Sequence, residues 1–78
     1  NNHSATNYLV QKTRELQKKG ATISENDIDA MMTELDNIEK YVNEIKVAVP
    51  DDEELQILVN ECLDNIENTR SLDNSEVK

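Results

Sequence analysis

The sequence contains no phenylalanine and no tryptophan, and it has only two tyrosines, one glycine and one proline among its 78 residues. With 36% hydrophobic residues and almost no aromatic side chains, the chain can build only a thin core, which suits one small domain. The scarcity of glycine and proline leaves few turn positions, and the alternating pattern typical of strands is absent. Because glutamate, leucine, lysine, glutamine and methionine favour helix, we predict an all-α fold.

The sequence has many acidic residues, which we expect to be solvated, but no cluster of histidine, cysteine and acidic residues with the spacing of a metal or catalytic site. The single histidine, His3, lies near the N-terminus, where we expect it to be solvated, and there is no glycine-rich phosphate loop. The single cysteine, Cys62, cannot form an internal disulfide bond and lies in a helical apolar pattern. We therefore expect a buried, unreactive thiol and a reducing compartment. We predict that the chain is not an enzyme and that it uses no cofactor or metal ion.

Long apolar runs are also absent, so we expect no direct insertion into a membrane. The formal net charge of −9 argues against nucleic acid as a partner and favours a neutral or basic protein. Residues 1–20 contain four basic residues and one acidic residue and so carry a net charge of +3. Residues 21–49 carry a net charge of −5, and residues 50–78 carry −7. We therefore expect a basic first helix to lie against two acidic helices.

The strongest pattern is a stretch between Ile28 and Val49 in which apolar residues are spaced alternately by three and four. This spacing predicts a packing helix with one narrow apolar stripe, sustained for about three heptads. Leu35, Ile38 and Val42 should be buried in the middle of the domain. A single helix cannot bury such a stripe alone, so the flanking segments must supply the other walls. The stripe consists of Ile28, Met31, Leu35, Ile38, Val42, Ile45 and Val49.

Another helix is predicted before this stretch. It begins at Ser4 or Thr6 and ends at Lys19. We expect Gly20 to take the left-handed conformation that caps many helices. A short link follows, and Ser24 then offers an N-cap for the central helix.

The third predicted helix follows Pro50, which cannot continue the central helix but can occupy the first position of the next one. The acidic residues 51–54 then stabilise the positive end of the helix dipole, which we prefer to a metal or partner site. The helix should end near Ser71. Its apolar face is wide, as expected for a helix that touches two neighbours, and consists of Leu55, Leu58, Val59, Cys62, Leu63 and Ile66.

The short links predict an antiparallel three-helix bundle with up-down-up topology over residues 6–71. We expect a monomer. Residues 1–5 should form a disordered N-terminal tail and residues 72–78 a flexible C-terminal tail. A small bundle offers no deep cleft for chemistry, so its expected role is recognition through helix faces.

Four short stretches carry a further pattern: Arg14-Glu15-Leu16, Met32-Thr33-Glu34-Leu35, Val49-Pro50 and Leu58-Val59-Asn60-Glu61-Cys62-Leu63-Asp64-Asn65-Ile66. The third helix contains an apolar pair, an Asn/Asp-containing stretch, a leucine, another polar step and an apolar residue. Over about residues 10–70, the chain resembles the C-terminal three-helix subdomain of the GAT domain in VHS–GAT sorting adaptors, the GGA proteins and their endosomal relatives. The family's Asn-Asp-Asn run appears here as Asn60-Glu61-Cys62.

The resemblance implies a module that binds ubiquitin and other trafficking proteins in endosomal and Golgi sorting. The module would be cytoplasmic and associated with endosomes or the Golgi through the full-length protein. In such domains, the apolar patch of ubiquitin meets the outer groove of the first two helices. Leu16, Met31 and Glu34 fall on family site positions, with Glu34 facing a basic partner residue, and Lys12 stands where the family commonly has a leucine. Because Met31 also lies on the stripe expected in the core, Met32 is the alternative exposed contact.

Two other functions stay open. A structural or assembly module, with its thin core completed by a partner helix, would self-associate or melt at a concentration-dependent temperature. An acidic mimic of nucleic acid would need its charges on one face. The basic first helix opposes that arrangement, so we rank the mimic last.

Overall fold

Three helices and two short links make up the fold. The structure, a computed structural model, describes the backbone of residues 2–76 and the side chains of residues 3–71. Helix α1 spans Asn2–Gly20, α2 spans Glu25–Ala48 and α3 spans Glu53–Glu76, and the described residues contain no strand. The molecule measures 41 × 20 × 17 Å. The predicted all-α three-helix bundle is therefore confirmed.

Contacts between helices establish the up-down-up topology. His3 on α1 meets Asp52 just before α3, and farther along both helices Arg14 meets Glu61, so α1 and α3 run in the same direction. Gln56, early in α3, donates to the backbone carbonyl of Val49 just after α2, whereas Arg70, late in α3, reaches Asp36 and Glu39 in the middle of α2, so α3 runs antiparallel to α2. This order follows from links too short to cross the bundle.

The core forms where the central stripe meets the other two helices. On α2, Leu35 and Val42 are completely buried, whereas Ile28 and Val49 at the ends of the stripe are only partly buried. On α3, Leu58 and Leu63 are also only partly buried, so its buried face is narrower than predicted. The buried core residues are Leu9, Val10, Leu16, Met31, Leu35, Ile38, Val42, Ile45, Leu55, Val59, Cys62 and Ile66.

Small polar side chains line the contact between α1 and α3, which pack more extensively with each other than α1 does with α2. Thr6, Thr13 and Thr69 are fully buried. The hydroxyl of Thr13 donates to backbone carbonyls one turn earlier and accepts a hydrogen bond of 3.1 Å from the amide of Asn65. Because small side chains allow close approach of two backbones, Thr6 and Thr13 favour the extensive packing of α1 on α3. No described buried side-chain nitrogen or oxygen atom lacks a partner.

Helix α1 begins earlier than the sequence pattern indicates. Residues 2–5, which we expected in a disordered tail, belong to the helix, and Asn1 lies outside the described residues. The ring of His3, which we expected to be solvated, lies 2.6 Å from a carboxylate oxygen of Asp52. This contact ties the first turn of α1 to the start of α3, a tertiary interaction that periodicity does not report.

The link between α1 and α2 contradicts the expected glycine cap. Gly20 ends α1 without adopting a positive φ, because the chain tightens through hydrogen bonds from Ala21 to Lys18 and from Thr22 to Lys19. Ser24 occupies the predicted N-cap position. Its hydroxyl, however, donates to the Asp27 carboxylate at 3.1 Å and makes no bond to the backbone of α2.

The start and end of α3 also differ from prediction. Pro50 lies in the turn before the helix, because Asp52 takes the N-cap position and its carboxylate accepts the backbone N–H of Leu55 at 3.1 Å. Helix α3 continues to Glu76, so residues 72–76 extend the helix where we expected a flexible tail, and residues 77–78 lie outside the described residues. No proline or glycine interrupts this segment, so the local sequence permits the longer helix.

Candidate functional site

A cavity lies between the end of α1 and the start of α2. Its volume is about 190 Å³. Because the two helices are antiparallel, side chains one turn apart on α1 face side chains one turn apart on α2. Three of the four predicted site residues, Leu16, Met31 and Glu34, therefore contribute to one groove. The complete lining is Leu16, Lys19, Ile23, Asp27, Ala30, Met31 and Glu34.

The two adjacent methionines have different positions. Met31 is only 5% exposed, which agrees with its place on the apolar stripe, yet its side chain still forms part of the cavity wall. Met32 packs against the core from another side of α2 and does not line this cavity. With Leu16, Met31 forms an apolar base at the bottom of the groove. A partner would meet this base only by reaching between the helices.

Glu34 stands at one end of the cavity and is already paired. Its carboxylate lies 3.4 Å from the ammonium nitrogen of Lys12, which crosses the groove from α1. Both side chains remain partly solvated, with 34% exposure for Lys12 and 43% for Glu34. The residue that differs from the family pattern therefore contacts the residue expected to receive a basic partner.

Helical spacing places two exposed tyrosines beyond this ion pair, and the sequence analysis did not single them out as candidate site residues. Tyr8 lies one turn before Lys12 on α1, and Tyr41 lies two turns after Glu34 on α2. Since the helices are antiparallel, both tyrosines are placed at the same end of the groove. They are 63% and 44% exposed. The spacing from Lys12 and Glu34 was the signal that could have identified them.

Two further concavities lie on outer helix faces. The larger, about 740 Å³, is an open region along α2, and the other, about 390 Å³, is a basic region at the end of α1. Arg70 joins Asp36 and Glu39 at one end of the larger region through ion pairs. The larger region is lined by Asp36, Glu39, Lys40, Asn43, Glu44, Val47 and Ala48, and the smaller by Arg14, Gln17, Lys18 and Ala21.

A charged cluster lies at the opposite end of the bundle, where α1 and α3 begin. The two ring nitrogens of His3 lie 2.6 Å from Asp52 and 3.7 Å from Glu54. The hydrogen bond from His3, followed by the backbone N–H of Leu55, lowers the pKa of Asp52 below 3.8. In the part of the chain that the structure describes, no group of three or more histidine, cysteine or acidic residues could hold a metal ion.

Cys62 lies inside the bundle, as predicted, and its sulfur is 3.8 Å from the backbone carbonyl oxygen of Thr6. Burial, reinforced by the nearby charge of Glu61, raises the pKa of this thiol to about 11. The thiol is therefore protonated at neutral pH and poorly placed to act as a nucleophile.

The groove offers an apolar base and two opposite charges, with no arrangement of groups for catalysis among the residues that line it. Among the described residues, no helix is long and apolar enough to cross a membrane.

Comparisons with protein-family models, curated proteins and solved structures found no match to this chain.

Proposed function

We propose that this chain is a non-catalytic protein-interaction module that binds ubiquitin, or another trafficking protein with a similar surface, through the groove between α1 and α2. The observation that supports the proposal is the convergence of Leu16, Met31 and Glu34 on a single cavity. These residues come from two helices, and the family resemblance points to all three without any information on how the helices pack. Two of them offer apolar surface, and the third offers a carboxylate at its edge.

The size of the cavity favours a protein partner over a small ligand. Its volume of about 190 Å³ is below the roughly 300–1,000 Å³ of pockets that enclose small molecules. It can receive one or two side chains from a larger surface. Such limited apolar contact supports weak binding, with a Kd of about 0.1–1 mM, which corresponds to about 4–5.5 kcal/mol.

A role in endosomal or Golgi sorting is part of the same proposal. A weak, non-catalytic module of this kind would act within a longer cytoplasmic protein, whose other parts would supply the attachment to endosomes or the Golgi. Several weak contacts acting together can then produce useful avidity.

The test is a titration of isotopically labelled protein with ubiquitin, followed by amide chemical shifts. We expect shifts centred on Leu16, Met31 and Glu34. Glu34→Ala should weaken binding severalfold with little loss of stability, because a partly exposed carboxylate contributes little to folding. Glu44→Ala is the matched control, since Glu44 lies on the same helix but outside this groove.

The second candidate is a structural bundle completed by a partner helix, and two exposed apolar residues favour it. Val47 at the end of α2 and Ile57 near the start of α3 are both exposed. If millimolar ubiquitin produces no amide shifts, the ubiquitin proposal fails for this chain and the assembly module becomes the better candidate. Its signature would be a melting temperature that rises with protein concentration.

A further inference from the structure

The carboxylate of Glu34 belongs to two arrangements at once. It forms part of the wall of the cavity that Leu16 and Met31 also line. One of its oxygen atoms pairs with the ammonium nitrogen of Lys12 at a distance of 3.4 Å. A partner cation that approaches Glu34 from the cavity must therefore compete with Lys12. The internal ion pair and an external one would use the same acceptor.

The ion pair also divides the groove along its length. On one side is the apolar cavity at the end of α1. On the other side, helical spacing places Tyr8 one turn from Lys12 and Tyr41 two turns from Glu34, and both tyrosines are exposed. The Lys12 side chain extends across the groove between these two parts, because it starts on α1 and ends at a carboxylate of α2.

We propose that the Lys12–Glu34 ion pair is an autoinhibitory bridge, which a basic side chain of the bound partner replaces at Glu34. The inference rests on the proposed binding of ubiquitin in this groove and concerns how that binding is regulated. Once Lys12 is displaced, the apolar cavity and the part of the groove that contains Tyr8 and Tyr41 form one continuous surface. Tyr8 and Tyr41 then contact the partner.

The exposure of the bridge makes such an exchange possible. A partly solvated ion pair is weak, because water screens the attraction and two long side chains lose freedom when they pair. A partner can therefore displace Lys12 at modest cost. Tyrosine is well suited to the exposed end, since its ring supplies apolar area and its hydroxyl can hydrogen-bond at the edge of an interface.

The decisive experiment compares the ubiquitin affinities of Lys12→Met and Lys18→Met by amide-shift titration. Both changes remove one positive charge from α1, but only Lys12 forms the bridge; Lys18 lines the separate basic region. We expect Lys12→Met to bind about two- to fivefold more tightly than the original chain, and Lys18→Met to differ little from it. Lys12→Gln, which is polar, replaces Lys12→Met if the methionine variant does not fold.

The tyrosines are tested separately. Tyr8→Ala and Tyr41→Ala should each weaken ubiquitin binding by about three- to tenfold, because exposed aromatic residues often contribute strongly to interfaces. Ile57→Ala is the control, since it removes an exposed apolar side chain from α3. Thermal melting of each variant shows whether the fold is retained.

The outcomes distinguish the two proposals. If the original chain shows no amide shifts at millimolar ubiquitin, the proposed function fails. If the original chain binds and Lys12→Met is no tighter than Lys18→Met, binding stands and the bridge is wrong. Normal binding by both tyrosine variants would limit the site to the cavity and overturn the extended surface.

Discussion

Individual side chains with similar hydrophobicity occupy very different environments in this bundle. Leu35 and Leu55 have no exposed surface, whereas Leu58 is partly buried and Ile57 points largely into solvent. Each side chain's energetic weight depends on how many atoms surround it, because both transfer from water and close packing contribute. The three fully buried threonines show that polarity alone does not exclude a residue from this core.

Leu35→Ala should lower the free energy of unfolding by roughly 2–5 kcal/mol, since it opens a cavity in the middle of the core. That loss is a large share of the stability of a domain this small. Urea denaturation followed by circular dichroism measures the change. Ile57→Ala provides the control and should alter stability by no more than about 0.5 kcal/mol. An equally small effect at Leu35 would contradict its position in the core.

Cys62 should react slowly with a thiol reagent while the protein is folded. Its side chain is completely buried, and its pKa of about 11 leaves little thiolate at neutral pH. Labelling followed by mass spectrometry should accelerate in urea as the bundle unfolds. Labelling of the folded protein at the rate of a free thiol would show that this face of α3 opens to solvent.

At the scale of the helix, the start of α3 depends on a local cap and on a contact with a residue that is distant in sequence. Asp52 accepts the backbone N–H of Leu55, a local cap of the kind that acidic residues often provide. The Asp52 carboxylate also accepts a hydrogen bond from the ring of His3, which belongs to α1. The carboxylate therefore stabilises the start of α3 and holds the first turn of α1.

Asp52→Asn should destabilise the protein most at neutral pH and progressively less in acid. A carboxyl group with a lowered folded pKa stabilises the native state above its unfolded value of 3.8. That contribution is lost as the pH falls through the lower folded pKa, because the carboxyl group is then neutral in both states. Urea midpoints of the two proteins, measured from pH 6 to pH 2, should converge below pH 3.8.

Asp51→Asn is the control for this series. Asp51 is exposed in the preceding turn, and no described hydrogen bond or ion pair involves its side chain. Its urea midpoint should follow that of the original chain across the same range. A constant gap between Asp52→Asn and the original chain down to pH 2 would show that ionisation of Asp52 does not contribute.

Ion pairs connect all three pairs of helices across the whole molecule. Lys12 joins α1 to α2, Arg14 joins α1 to α3, and Arg70 joins α3 to α2. The basic first helix does lie against two acidic helices, as its charge predicted. Arg70 is the most connected of these residues, because its guanidinium group meets both oxygens of Glu39 and a carboxylate oxygen of Asp36.

Arg70→Met should reduce the free energy of unfolding by up to about 1 kcal/mol at low salt, the usual limit for partly exposed ion pairs. The effect should shrink when the salt concentration reaches about 1 M, where the screening length is about 3 Å. Urea denaturation at two salt concentrations measures both parts. Lys40→Met removes a neighbouring exposed charge from α2 without a described ion pair and should have little effect. Equal losses of unfolding free energy for Arg70→Met and Lys40→Met would show that the ion pairs of Arg70 do not stabilise the fold.

Much of the fold was predictable because helical periodicity is a local property. The spacing of apolar residues identified the central helix, placed Leu35 and Val42 in the core and put Cys62 on a buried face. Short links then limited the arrangement of three helices. These conclusions depend only on neighbouring positions along one chain, which a sequence displays directly.

The candidate site depended on relations between helices, and these only the tertiary structure could decide. Both methionines are apolar and adjacent, but the rotation of α2 against α1 placed Met31 in the cavity wall and Met32 outside it. Lys12 and Glu34 are far apart in sequence, so their ion pair required the register of the two helices. Periodicity gives the face of each helix. The distance between two faces depends on how side chains from all three helices fill their shared volume.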